Sequence, residues 1–160
     1  MIIVTVGMQL GFDRLIEAMD AIAPEIGIPV IAQTGMGAYR PRNMEARTRI
    51  APAEFEALVG EARLIVSHAG IGTVLTTARC GKPIVLMPRR ADLGEHRNDH
   101  QMATVGKLAG RPGILVADDE RDLAPRIADG LALTEWSAAQ SATARQLHEA
   151  LAAFIENRPL

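Results

Sequence analysis

Leu64-Ile65-Val66-Ser67-His68-Ala69-Gly70-Ile71-Gly72-Thr73 decides how this chain is read. Three apolar residues describe a strand covered on both faces. Two glycines then turn the chain, and residues 73–79 continue as a helix until Gly81 and Pro83 stop it. The same alternation extends upstream. Residues 2–6 read as an apolar, β-branched strand ending at Gly7; Phe12, Leu15, Ile16, Met19, Ile22 and Ala23 then recur at helical spacing, with Pro24 as the expected stop. Residues 29–33 give a second strand, residues 46–50 a weaker third, and a short helix from Ala53 turns Phe55, Leu58 and Val59 inward. Downstream, residues 84–87 and 114–116 are the fifth and sixth strands. Between them lie a polar loop, 88–97, and a helix expected to be capped by Asn98 with Met102, Val105 and Leu108 on one face. Two helices close the chain, the last carrying Leu147, Leu151, Phe154 and Ile155 and reaching back to Trp136.

Strands that alternate with helices, each strand nearly all apolar, predict a doubly wound parallel α/β sheet of about six strands. At 160 residues the chain has room for one such domain, and the expectation is a single unit over 1–160. An enzyme needing two large α/β domains cannot be complete within it. With aromatic residues at 3%, the rings that base-stacking proteins use are scarce, and 17 Lys+Arg against 19 Asp+Glu leave no general field for DNA or anionic lipid. Nucleic acid is therefore not an expected partner. The lone Cys80 makes no internal disulfide and reads as a small core filler, the first residues lack a signal-peptide pattern, and no apolar run approaches the roughly 20 residues of a membrane span. A reducing cytoplasm is the expected compartment.

Ligands of such sheets bind beyond the carboxyl ends of the strands, which places the site on the loops after strands one, three, four and five. In residues 67–73, Gly70 and Gly72 let main chain approach a ligand and Thr73 sits among the first free N–H groups of a helix, a seat for a diphosphate. His68 would face that anion, which favours the charged imidazole. The same residues also fit a plain tight turn with a histidine at the strand end. A second cluster, Glu95-His96-Arg97-Asn98-Asp99-His100-Gln101, follows strand five, and its Asp99 and Gln101 have the acceptors and donors that sugar hydroxyls need. Alone, that cluster reads equally as a solvated loop with a helix cap. Arg89 and Arg90 are the tight basic pair on this rim, suited to an acceptor's diphosphate or a partner's acidic patch, or simply to solvent. Met19, Met87 and Met102 are core by spacing, and His148 is a surface residue.

These motifs in order, residues 67–73, Gly81-Lys82-Pro83-Ile84-Val85, Pro88-Arg89-Arg90, Gly94-Glu95-His96 and Asn98-Asp99-His100-Gln101, resemble the C-terminal, donor-binding domain of glycosyltransferase family 28. Val4-Thr5-Val6-Gly7 with Phe12-Asp13-Arg14-Leu15, and Gln33-Thr34-Gly35, extend the resemblance over nearly the whole chain. It is nearest to free-standing members: PssE-like subunits of bacterial exopolysaccharide glucuronosyltransferases, and the cytosolic subunit of the eukaryotic two-part N-acetylglucosaminyltransferase. The resemblance implies a Rossmann-like half of a GT-B enzyme that transfers a sugar, glucuronic acid being the suggested one, from a UDP donor to a polyprenyl-diphosphate-linked acceptor. It implies His68 and Asp99 as catalytic residues. Gly7, Ile50, Gly70, Gly72, Thr73, Thr76, Arg89, Arg90, Glu95, Asn98 and Gln101 would bind substrate. No metal or cofactor beyond the UDP-sugar is implied, and no Asp-x-Asp pair argues for one. The implied partner is a PssD-like, membrane-anchored subunit that supplies the acceptor domain and general base and draws this chain to the cytoplasmic face of the inner membrane; the C-terminal helix would dock either there or on its own sheet. Two positions depart from the family pattern, Thr76 where a glutamate usually holds the ribose and Met8 where the first loop often has threonine. They motivate an alternative, a non-catalytic scaffold or nucleotide-sensing subunit. A hexosamine epimerase, which would need a second domain, is a third.

Overall fold

The computed structural model describes residues 1–133. Six strands, β1 (Ile2–Thr5), β2 (Val30–Gln33), β3 (Glu45–Arg47), β4 (Leu64–His68), β5 (Ile84–Met87) and β6 (Ile114–Val116), form one parallel sheet in the order β3-β2-β1-β4-β5-β6. Five helices connect and flank them: α1 (Asp13–Ile26), α2 (Pro52–Glu61), α3 (Ile71–Arg79), α4 (His100–Leu108) and α5 (Leu123–Ala132), the last preceded by a single 3₁₀ turn, Glu120–Asp122. This is the doubly wound arrangement expected from the alternating pattern. The strand-to-strand pleat sorts the core. Ile2 and Val4 of β1 join Leu15, Ile16 and Met19 of α1 and Leu123 and Ile127 of α5 on one face, while Ile3 joins Val59, Ile65, Val74, Leu86 and Leu108 on the other. Both faces are covered, which is why the strands read as apolar runs.

The details differ from the sequence pattern where tertiary contacts intervene. Pro24 does not stop α1; the helix runs on to Ile26 and ends at Gly27, whose φ of 74° is the left-handed cap. Proline removes the N–H that would bond to the Asp20 carbonyl four residues back. Asn43 Nδ2 donates to that carbonyl instead, at 3.0 Å, so the lost bond is replaced from outside the helix. Strand β3 is three residues long, and Ile50, expected to end it, is buried beyond it. Helix α4 begins at His100 with Asp99 at the N-cap position, and Asn98 lies outside it. Met102 is exposed rather than core, while Met19 and Met87 are fully buried. Cys80 is half-buried against the α3 side of the core. The expected final helix falls outside the described residues.

In a sheet of this order the connections leave β1 and β4 in opposite directions, opening a crevice beyond their carboxyl ends. Thr5 and Gln33, which end the paired register of β1 and β2, line its floor.

Candidate functional site

A cavity of about 390 Å³ opens at that crevice, lined by Thr5, Gly7, Met8, Gln33, Ile50, Pro52, Phe55, His68, Gly70, Gly72, Thr73 and Thr76. Each group comes from an element end. Gly7 and Met8 follow β1, Ile50 precedes α2 and Pro52 opens it, His68 ends β4, and Gly70 to Thr76 form the start of α3. The first helical bond of α3 runs from Val74 N to Gly70 O, so the N–H groups of Ile71, Gly72 and Thr73 precede it and lack helical acceptors. With the positive end of the helix dipole, they make this wall a place for an anion. Gly72 faces open space, and a Cβ there would meet no atom within 4 Å.

Gly70 and Gly7 have another purpose. The His68 ring lies between them: a Cβ on Gly70 would overlap Nε2, and one on Gly7, whose φ is 80°, would come within 2.8 Å of Cε1. These glycines make room for the imidazole, whereas Gly72 leaves room for a ligand. Burial, and then the positive charge of Arg89, push the His68 pKa down to about 4, against a hydrogen bond with the Thr5 main chain that raises it. The imidazole of the free protein is therefore neutral at pH 7. On the far side, Thr5 Oγ1 donates to Gln33 Oε1 at 2.6 Å and Gln33 Nε2 reaches Met8 Sδ at 3.7 Å. Ile50, Pro52 and Phe55 form the apolar end. Thr76 lines the cavity with its hydroxyl bonded to the Gly72 carbonyl at 3.2 Å.

Seven of the residues singled out in the sequence thus meet at one cavity: Gly7, Ile50, His68, Gly70, Gly72, Thr73 and Thr76. The loop after β5 does not join them. Arg89 is a correction, because it is not a rim cation. It is 4% exposed, and its Nη2 donates to the carbonyls of Val6, Leu10 and Gly11 at 2.8, 2.9 and 3.2 Å, with the guanidinium over the Phe12 ring. Arg90 is half-exposed and paired with Asp92 at 2.6 Å. Glu95 accepts from Arg14 at 2.6 and 2.8 Å and from Arg90 N at 2.9 Å, so its carboxylate is engaged inside the protein. Gln101, 3% exposed, accepts with Oε1 from both Ala69 N and Arg89 N at 3.2 and 3.0 Å, tying the loop after β4 to the loop after β5. Asp99 accepts from Ala91 N at 3.0 Å, and Asn98 bonds to His100; both are exposed and neither lines the cavity. Thr5, Gln33 and Phe55 were missed as site residues, whereas Pro52 closes the loop from Ile50 that the family resemblance sets beside the base. The signal was present for two of them: Thr5 and Gln33 are the polar residues that end apolar strands, in register with each other.

A parallel sheet of this order, with a glycine-flanked imidazole and a cavity at its switch point, agrees with what the sequence matches. Residues 1–153 match the glycosyltransferase family 28 C-terminal domain. The chain belongs to that family. Among relatives of this family 28 chain, the UDP-N-acetylglucosamine transferase subunit ALG13 of Cryptococcus neoformans is 40% identical over 48 residues, covering 29% of this chain and 24% of that protein. The same-named subunit from Eremothecium gossypii is 29% identical over 92 residues, covering 57% and 45%. In structure, Acinetobacter baumannii MurG superimposes with a TM-score of 0.61 at 22% identity, over 90% of this chain and 44% of that one. The fold is that of one half of a GT-B glycosyltransferase. The chain spans less than half the length of each of these proteins. Among the described residues no helix is long and apolar enough to cross a membrane.

Proposed function

We propose that this chain is the donor-binding subunit of a two-component glycosyltransferase that takes a UDP-sugar, the diphosphate resting on the N-terminus of α3 and the base in the apolar end between Ile50 and Phe55. The observation that carries this reading is the cavity at the switch point, lined by Gly72 and Thr73 of the first turn of α3, whose N–H groups lack helical acceptors, with Gly72 facing open space. Charge-assisted hydrogen bonds from such groups contribute about 1.5–3 kcal/mol each. The reaction is displacement at the anomeric carbon: an acceptor hydroxyl oxygen bonds to it, the bond to the diphosphate oxygen breaks, and UDP leaves. This subunit's share is to stabilise the departing charge with fixed N–H dipoles and with His68, which donates an N–H while neutral and takes up a proton as the anion accumulates beside it. The acceptor proton goes to a general base across the cleft. That side belongs to a second, membrane-anchored polypeptide of PssD-like type, which also presents a lipid-linked saccharide and holds this chain at the membrane's cytoplasmic face. Relatives named as transferase subunits support the division of labour. Glucuronic acid remains the proposed donor sugar, polysaccharide synthesis the proposed setting, and no metal ion is needed by the N–H seat.

Calorimetric titration with UDP tests the reading. Saturable binding that weakens in His68→Ala is the expected result; no heat with the wild-type chain, or equal affinity in the variant, would overturn it. UDP binding without sugar transfer by the reconstituted pair would favour the nucleotide-sensing alternative.

A further inference from the structure

Among the described residues, Arg89 Nε is the buried side-chain polar atom with no hydrogen-bond partner. Its guanidinium bonds only to main-chain carbonyls, and no carboxylate touches it. Glu95, the acidic group whose field it feels, has both oxygens on Arg14 and the Arg90 N–H. Taking an ion from water without a counter-charge is among the most unfavourable things a fold does. The first loop needs a donor for its three carbonyls, but a neutral amide would supply one. What the cation alone supplies is potential. Its bonding partner Val6 adjoins Gly7, and Gly7 and His68 both line the cavity. The carbonyls of Val6, Leu10 and Gly11, whose oxygens would repel an anion, are drawn inward to the guanidinium. His68 registers the same charge through its lowered basicity.

We propose that Arg89 is a positioning residue for the diphosphate: a buried cation behind the Gly7–His68 wall that holds the first loop's carbonyls away from the cavity and completes its counter-charge when the anionic ligand binds, without touching it. The inference rests on the donor-site reading above. On this account the ligand is Arg89's missing counter-ion, and the protein's preference for a charged nucleotide over the same nucleoside resides partly there.

The test compares UDP with uridine by calorimetry on the full chain, wild type against Arg89→Met and Arg89→Lys. Removing a unit charge at this range should lower the UDP-over-uridine preference by about tenfold or more in Arg89→Met, while Arg89→Lys stays within about threefold of wild type. Uridine affinity should hold in both. In the same proteins, NMR titration should show the His68 pKa rising in Arg89→Met and staying low in Arg89→Lys. Should Arg89→Met fail to fold, Arg89→Gln still donates to the loop carbonyls without the charge and carries the same comparison. An unchanged preference in the neutral variant overturns the inference, as does a lysine variant that loses as much as the methionine one, since the fork and not the charge would then matter. A wild-type chain without preference for UDP refutes the donor-site reading itself, which separates the two failures.

Discussion

Gly72→Ala should make the protein more stable and a poorer ligand binder at once. A Cβ at this position meets no atom within 4 Å, so no strain opposes it. Alanine is favoured over glycine inside a helix by about 0.5–1 kcal/mol, and the first-turn position places the gain at the lower end. For a chain of this length that is a rise in Tm of about 1–3 °C. Gly72 lines the cavity, so the methyl adds bulk beside the free N–H groups of the first turn of α3. Displacing a phosphate oxygen from one of them loses about 1.5–3 kcal/mol, or about 10- to 100-fold in UDP affinity. Gly70→Ala is the control with the opposite sign in stability: its backbone angles suit alanine, but the new Cβ overlaps a histidine ring held from the other side by Gly7, and overpacking of that kind costs about 1–3 kcal/mol. Thermal melts and UDP titrations of the two variants decide the matter. A Gly72→Ala protein that is stabilised and still binds UDP like wild type would show that the phosphates do not lie on α3.

Three further outcomes follow from the same contacts. Because the His68 pKa is depressed to about 4 from an ordinary 6.5, the unfolded chain binds the extra proton first, and stability should fall as pH drops from 6.5 to 4, by up to about 3 kcal/mol, with the fall reduced in His68→Gln when urea melts are compared across that range. Asp20 is 3% exposed; burial opposes its charge, but the N–H groups of Asn43 and Arg42 and the Tyr39 hydroxyl together hold its carboxyl below the ordinary value, so Asp20→Ala should lose about 2–4 kcal/mol in denaturant melts and free the chain between β2 and β3. Gln101→Met should lose about 2–4 kcal/mol by leaving two buried N–H groups unpaired; an unchanged melting curve would mean that the amide does not tie the two loops.

The sheet was legible because parallel strands covered on both faces are written as unbroken apolar runs, and the lining of the switch-point cavity because a strand, a pair of glycines and a helix start follow one another in residues 64–79. Boundaries were not. Pro24 carries an unambiguous local signal to stop, and what cancels it, the Asn43 amide on the Asp20 carbonyl, is 19 residues away in sequence. The loop after β5 misled for the same reason. Arg89, Glu95 and Gln101 have the side-chain chemistry of ligand binders, and whether such groups turn toward a ligand or toward neighbouring main chain depends on contacts with β1, α1 and β4 that no local window contains. Thr5 and Gln33 were the reverse case, polar groups whose position at strand ends, once the register is known, marks the cavity floor.

That loop then acquires a different meaning. Arg14 reaches from α1 to Glu95, to the Pro88 carbonyl and to Glu120; Gln101 reaches from α4 to the loop after β4; Arg89 reaches from the loop after β5 to the loop after β1. Each bond crosses between elements that the sheet alone would leave independent at their carboxyl ends. Glycine-rich loops carry a large entropy cost when a ligand orders them, and binding is tightest when that ordering has been done in advance. A rim fixed from below by these side chains holds the loops after β1, β4 and β5 to one another, and the charges of this region sit one layer behind a cavity whose lining holds no carboxylate, lysine or arginine.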